Sequence, residues 1–199
     1  MGDKLNEELI VKIVEAAIFA AEQPMTVDKL KQTVFADEVI SKAKIKQAIE
    51  DLQSKYAQSG VALMKVASGY RFQARQDLSP WLSNLWTEKP TKYSRALLET
   101  LALIAYKQPI TRGEIENVRG VSVSSNIIRT LTDRSWIKVV GHKEVPGRPS
   151  LYATTNEFLD YFSLSSLSQL PELMEPEALE LVAKRIENEF MGVAVEDAR

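Results

Sequence analysis

Leu97-Leu98-Glu99-Thr100-Leu101-Ala102-Leu103-Ile104-Ala105-Tyr106-Lys107-Gln108-Pro109-Ile110-Thr111-Arg112-Gly113-Glu114 opens the stretch, residues 97–155, that decides the fold. Its apolar run is too long for a strand and too hydrophobic on all sides for a surface helix, which predicts a buried helix stopped by Pro109. Thr111-Arg112-Gly113-Glu114 fits a capping box: the threonine hydroxyl accepts a free backbone N–H, and the glutamate reaches back to the threonine N–H. A short helix carrying Ile115 and Val118 should follow and end at Gly120. A third helix over about residues 122–135 sets Ile127, Ile128 and Leu131 on one face. The period then drops to two. Trp136-Ile137-Lys138-Val139-Val140 and Leu151-Tyr152-Ala153-Thr154 read as strands, joined by the charged turn Gly141-His142-Lys143-Glu144-Val145-Pro146-Gly147-Arg148-Pro149. Three helices followed by a hairpin with an extended tip is a helix-turn-helix with a β-wing.

Upstream, the same layout is repeated. Leu9, Ile10, Ile13, Val14, Ala17, Ile18 and Ala21 recur at helical spacing, and the helix they predict runs into Gln23-Pro24-Met25-Thr26. That tetrapeptide matches Gln108-Pro109-Ile110-Thr111 at a shift of 85 residues. Ile45, Ala48, Ile49, Leu52 and Tyr56 form the stripe of another third helix, shifted by 79, so the first copy carries extra loop around residues 35–41. Val61 to Val66, the turn Ser68-Gly69, and Tyr70, Phe72 and Ala74 alternating with Arg71, Gln73 and Arg75 predict a shorter first hairpin. Self-similarity over such a period implies two copies of one unit.

The expected organisation is therefore mainly α with small β-hairpins, an α+β class: two tandem winged-helix domains plus a C-terminal helix. Residues 1–78 form the N-terminal domain, 79–93 a helical linker, 94–162 the C-terminal domain, and 163–199 an irregular segment with an acidic C-terminal helix. In the linker, Ser79-Pro80 starts a short helix bearing Trp81, Leu82, Leu85 and Trp86, and two tryptophans there imply that it packs against something. Pro90-Thr91 breaks it. Thr154 or Thr155 caps a helix with Phe158, Leu159 and Phe162. From Pro176, the apolar positions Leu179, Val182, Ala183, Ile186 and Phe190 describe an amphipathic helix, followed by a frayed end.

Composition narrows the function. The 199 residues are 45% hydrophobic and 26% charged, ordinary for a folded protein. The absence of cysteine removes disulfides, zinc-thiolate sites and thiol nucleophiles together. No apolar run approaches the roughly 20 residues of a membrane span, and Met1-Gly2-Asp3-Lys4-Leu5-Asn6 has neither a signal-peptide core nor a myristoylation hydroxyl, so the expected location is cytoplasmic. Net charge is −2, split into −5 over residues 171–199 and +3 over the rest. So mild a positive bias weighs against DNA as the main ligand.

Catalysis finds little to work with. The single histidine, His142, has no second imidazole or thiol, the glycines are scattered singly, and Glu114, Glu116, Glu187 and Glu189 read as solvated helix faces. No enzyme activity, cofactor or metal is expected. In the two third helices, Lys42, Lys44, Lys46 and Lys55 oppose Glu50 and Asp51, while Asn126, Arg129 and Arg134 oppose Asp133. Asn and Arg can read bases, yet any solvated helix shows such a face. Lys143 and Arg148 on the stiff Pro146-Gly147-Arg148-Pro149 turn suit phosphate or a partner's carboxylates, although a hairpin turn needs Pro and Gly anyway.

The chain resembles the segregation and condensation protein B (ScpB) family of bacteria. The resemblance rests on residues 98–112 as quoted above, then Ile115-Glu116, Arg119-Gly120-Val121, Arg129-Thr130-Leu131, Ile137 and Val139-Val140-Gly141. It continues in Val145-Pro146-Gly147-Arg148-Pro149, Leu151-Tyr152, Thr154-Thr155 and Glu157-Phe158-Leu159. Ser135-Trp136 departs from the glycine and aliphatic residue usual in the family. The resemblance implies two winged-helix domains, homodimers formed through the first, and binding of the kleisin subunit ScpA. With ScpA such a protein joins an SMC ATPase in the complex that compacts and separates chromosomes, associated with the nucleoid and touching DNA indirectly. Arg119, Arg129, Lys143, Arg148 and Tyr152 are the candidate kleisin-binding residues, and Leu9, Ile13 and Ala17 the candidate dimer stripe. The alternative is a dimeric winged-helix DNA-binding transcription regulator.

Overall fold

Two successive sets of three helices and a hairpin form most of the chain's described part. The computed structural model describes residues 5–85 and 93–172. The expected linker features Trp86 and Pro90-Thr91, and the helix and end expected after Pro176, lie outside the described residues. The described residues up to Ser168 form one compact unit; Gln169 begins a second, described only for residues 169–172. The fold is mixed α+β.

The first set runs α1 (Glu7–Ala20), α2 (Val27–Thr33), α3 (Lys42–Lys55), β1 (Val61–Val66) and β2 (Gly69–Ala74). Asn6 caps α1 through its side chain, Thr26 caps α2 and Ser41 caps α3, each satisfying an amide that the helix start leaves open. Ile10, Val14 and Ile18 of α1 meet Ile45, Ala48, Ile49 and Leu52 of α3 in a core that Leu30 and Leu63 complete. The loop expected as surplus around residues 35–41 is pinned to this core by Phe35 and Ile40, both buried. Outside the core, Glu15 of α1 accepts from the Tyr56 hydroxyl and from Lys55 at 2.9 Å.

After α4 (Ser79–Leu82), the second set runs α5 (Arg95–Lys107), β3 (Ile110–Thr111), α6 (Arg112–Arg119), α7 (Ser125–Asp133), β4 (Ile137–His142) and β5 (Ser150–Thr154), followed by α8 (Asn156–Tyr161). Its core holds Leu97, Leu101, Ile104, Ile115, Val123, Leu131, Trp136, Ile137 and Phe158. Its sheet has the order β3-β5-β4.

The repeated Gln-Pro-apolar-Thr motif acquires a physical meaning here. In each copy the threonine caps the second helix, and the apolar residue before it pairs with a tyrosine of the hairpin: Met25 with Tyr70, Ile110 with Tyr152. In the second copy Gln108 adds a third tie, its Oε1 accepting from the Thr154 N–H at 2.7 Å and from the Thr154 hydroxyl at 3.0 Å.

Four expectations need correction. The run 97–105 is not buried on all sides: Leu98 is 42% exposed and Ala102 is exposed, so α5 is amphipathic, its outer side kept weakly apolar by small residues. Val118 is exposed, leaving Ile115 as the buried anchor of α6. Helix α7 is shorter than expected because Ser124 caps it and Ser135, at φ 56°, turns the chain out of it. Trp81 of the connector is 70% exposed and Leu85 is exposed too; the one-turn α4 keeps only Leu82 half-buried. The contact between the two sets is made elsewhere. Ala67 N–H donates to Leu164 O at 3.0 Å, Ser68 N–H to Asp160 Oδ1 at 3.0 Å, and Arg71 to Asp160 O at 2.7 Å. The polar face of β2 is thus covered rather than solvated.

Candidate partner-binding surface

The N-terminus of α6 is the part of the second set most tightly organised by polar contacts. Thr111 Oγ1 accepts from the Glu114 N–H, and Glu114 Oε2 accepts from the Thr111 N–H at 2.8 Å and its hydroxyl at 2.7 Å, completing the expected capping box. The other carboxylate oxygen takes Lys143 Nζ at 2.6 Å. The Lys143 ammonium first, then the two Thr111 donors, holds the Glu114 carboxyl down to about 2. Lys143 comes from the hairpin 29 residues later, so this pair fastens the wing to the helix.

Glu116 has a similar role at the next turn. It accepts from the Val123 N–H at 2.8 Å and from Arg112 at 3.0 Å, and both donors lower its carboxyl pKa, the Val123 amide more. Arg112 also donates to the Ser125 hydroxyl at 3.1 Å, so the α6–α7 turn is held at both ends. Glu114 and Glu116 are therefore not the solvated faces that the sequence implied. Each is half-buried and accepts from a backbone amide as well as from a cation.

The candidate residues fall into three situations. Arg119 is turned inward: its side chain is 9% exposed, donating to Glu99 at 3.0 Å and to Thr100 Oγ1 at 3.4 Å, with Nε buried and, among the described residues, without a partner. Lys143, Arg148 and Tyr152 share one hairpin. Arg148 stands at the tip with φ 37°, beside Gly147 at φ 84°, and its guanidinium meets Glu144 at 3.0 Å in the open. Tyr152 lies on the middle strand, between Ile110 of β3 and Val139 of β4. Arg129 is on the exposed side of α7, 3.5 Å from Asp133.

Around these cations, Val139, Val140 and Val145 are exposed, giving the wing a mixed apolar and basic surface. Arg134, a potential base reader, instead stacks over Tyr93 at 4.9 Å and Trp136 at 5.5 Å. Tyr161 and Phe162 extend that aromatic group, with Trp136 and Tyr161 centroids 4.6 Å apart. Sequence reasoning missed this cluster, whose only signal was aromatic residues scattered over three segments.

On the first set, Leu9, Ile13 and Ala17 lie along one side of α1, each half-buried beside the deeper row Ile10, Val14 and Ile18. Phe19, just past them and unnoticed in the sequence, is mostly exposed, with its ring edge-on to Phe72 at 6.3 Å. Among the described residues there is no group of acids and histidines able to hold a metal, and no helix long and apolar enough to cross a membrane.

The family model for "Segregation and condensation complex subunit ScpB" matches residues 12–173. The chain belongs to the ScpB family. Its similarity to a Segregation and condensation protein B homolog from Coxiella burnetii is 55% identity, covering 92% of this chain and 88% of that one. It is 41% identical to Segregation and condensation protein B from Syntrophotalea carbinolica, covering 82% and 81%. The crystal structure of ScpB from Mycobacterium tuberculosis is 29% identical, covers 81% of this chain and 99% of that one, and superposes with a TM-score of 0.38. ScpB membership supports a role in the segregation and condensation complex, and ScpB is not a known enzyme family.

Proposed function

We propose that this chain is a non-catalytic scaffold subunit of an SMC–kleisin complex for chromosome condensation and segregation, and that it binds the kleisin ScpA. Through ScpA it joins an SMC ATPase, works in the cytoplasm at the nucleoid, and associates with DNA indirectly. ScpB family membership carries the reading, and the character of the second wing supports it. That wing is fastened to α6 by Lys143 and Glu114, and it carries exposed valines beside Arg148, a surface suited to a polypeptide. Arg134, stacked on aromatic rings, is withdrawn from the set that a duplex would need.

Within this reading the candidate surface is revised. Arg148, Arg129 and Tyr152 remain candidate contacts, Lys143 fixes the wing, and Arg119 supports α5 rather than meeting the partner. The chain forms a homodimer through its first set, with Leu9, Ile13 and Ala17 at the interface and Phe19 added to them.

Affinity for ScpA after Arg148→Glu tests the wing. A loss of at least fivefold, with the wild-type melting temperature retained, is expected. Unchanged affinity would remove the wing tip from the interface. Tight, salt-dependent binding to one palindromic duplex, with ScpA ignored, would favour the regulator instead.

A further inference from the structure

We infer that the outer edge of β4 takes up an extended, acidic segment of the protein partner as an added strand. This rests on the reading above, in which the second hairpin holds a polypeptide. Strand β4 stands at the margin of the sheet, with β5 on one side and, among the described residues, no strand on the other. The direction of its backbone groups follows from its partner. Thr154 donates its N–H to Gln108 Oε1 at 2.7 Å, away from β4, so the opposed pair Thr154 and Ile137 exchange no hydrogen bonds. The N–H and C=O of Ile137, and two residues later those of Val139, therefore face away from β5. Among the described residues, no group donates to or accepts from the Val139 backbone on that side.

The side chains agree with a docking edge. Val139 is 51% exposed and Val140 48%. Open edges bearing β-branched residues invite another strand, and proteins ordinarily blunt them with charge, proline or a covering segment. The register shift between Val139 and Gly141 confines an added strand to the part of β4 before the bulge. Charge selects the occupant. Residues 136–150 carry Lys138, Lys143 and Arg148 against Glu144 alone. Lys138 is exposed and has no ion pair among the described residues. The fitting segment places a carboxylate opposite Lys138 and an apolar residue opposite Val139, while main-chain hydrogen bonds hold it in line.

The test uses the full chain with ScpA as the probe. Val139→Pro removes the outward N–H without touching the β4–β5 ladder, an edge position where proline is tolerated, and Val139→Thr keeps that N–H. ScpA affinity should fall at least tenfold for V139P and several-fold less for V139T, which loses only the apolar contact of the side chain. In the wild-type chain, ScpA should slow exchange of the Val139 amide at least tenfold by NMR. Wild-type affinity in V139P, or an amide whose exchange ScpA leaves unchanged, overturns the strand addition. So does an amide already protected in the free chain, which would mean that the chain itself or a second copy covers the edge. If V139P fails to fold, the wild-type exchange measurement decides alone. A wild-type chain that does not bind ScpA at all overturns the scaffold reading itself, and the strand addition with it.

Discussion

Ser135 occupies the left-handed region at φ 56°, where a Cβ crowds the backbone at a cost of about 1 kcal/mol. A glycine would adopt this conformation without that crowding. Its carbonyl accepts from the Thr155 hydroxyl, a bond that any residue there would keep. Ser135→Gly should therefore raise stability by about 0.5–1 kcal/mol, read as a higher urea midpoint with an unchanged slope. Gly69 is the opposite case. At φ 139°, a Cβ built on it lies 2.5 Å from the Met25 carbonyl carbon and 2.8 Å from the Thr26 nitrogen. Both contacts are with backbone, so nothing flexible can yield. Gly69→Ala should cost about 2–3 kcal/mol and open the Met25–Tyr70 bridge, seen as rapid exchange of the Tyr70 amide.

Between single residues and the whole lie the elements, and α6 shows how far each could be read. Its capping box was legible because Thr111 and Glu114 stand three apart, a spacing that local geometry alone interprets. Lys143, which turns that box into an anchor for the wing, was not, since nothing in a sequence marks two charges 29 positions apart as neighbours. The anchor predicts a pH dependence with a definite sign. Ionised Glu114 is favoured in the folded state, its pKa held at about 2 against an ordinary 4.5. The stability it contributes is complete above the unfolded value and is lost as pH falls from about 4.5 towards 2. Wild-type protein should lose more melting temperature between pH 5 and pH 2.5 than Glu114→Gln, which lacks that titration. Equal losses would show that the pair contributes nothing to stability. The hairpins and third helices were legible in the same local way, through period and turn residues. Which of their polar faces would be covered was not: Arg71 and Gln73 look solvent-facing by alternation, yet meet Asp160 and Ser163.

At the scale of the molecule, that last contact joins the first hairpin to the end of the second set. Asp160→Ala removes the acceptor of the Ser68 amide and should cost about 1 kcal/mol, with exchange at Ser68 at least tenfold faster and the core amides of α5 unchanged. Internal repetition was readable from Gln-Pro-apolar-Thr, but the tie between the copies depends on residues about 90 positions apart that share no motif. Function was legible mainly through resemblance, because a surface made of valines, a few cations and a tyrosine carries no chemical signature of its own. The central claim, a protein-binding scaffold without an active site, is tested most directly by light scattering of the purified chain mixed with ScpA. A co-eluting species heavier than either component at micromolar concentration is predicted. Two separate peaks with the masses of the unmixed proteins would contradict it.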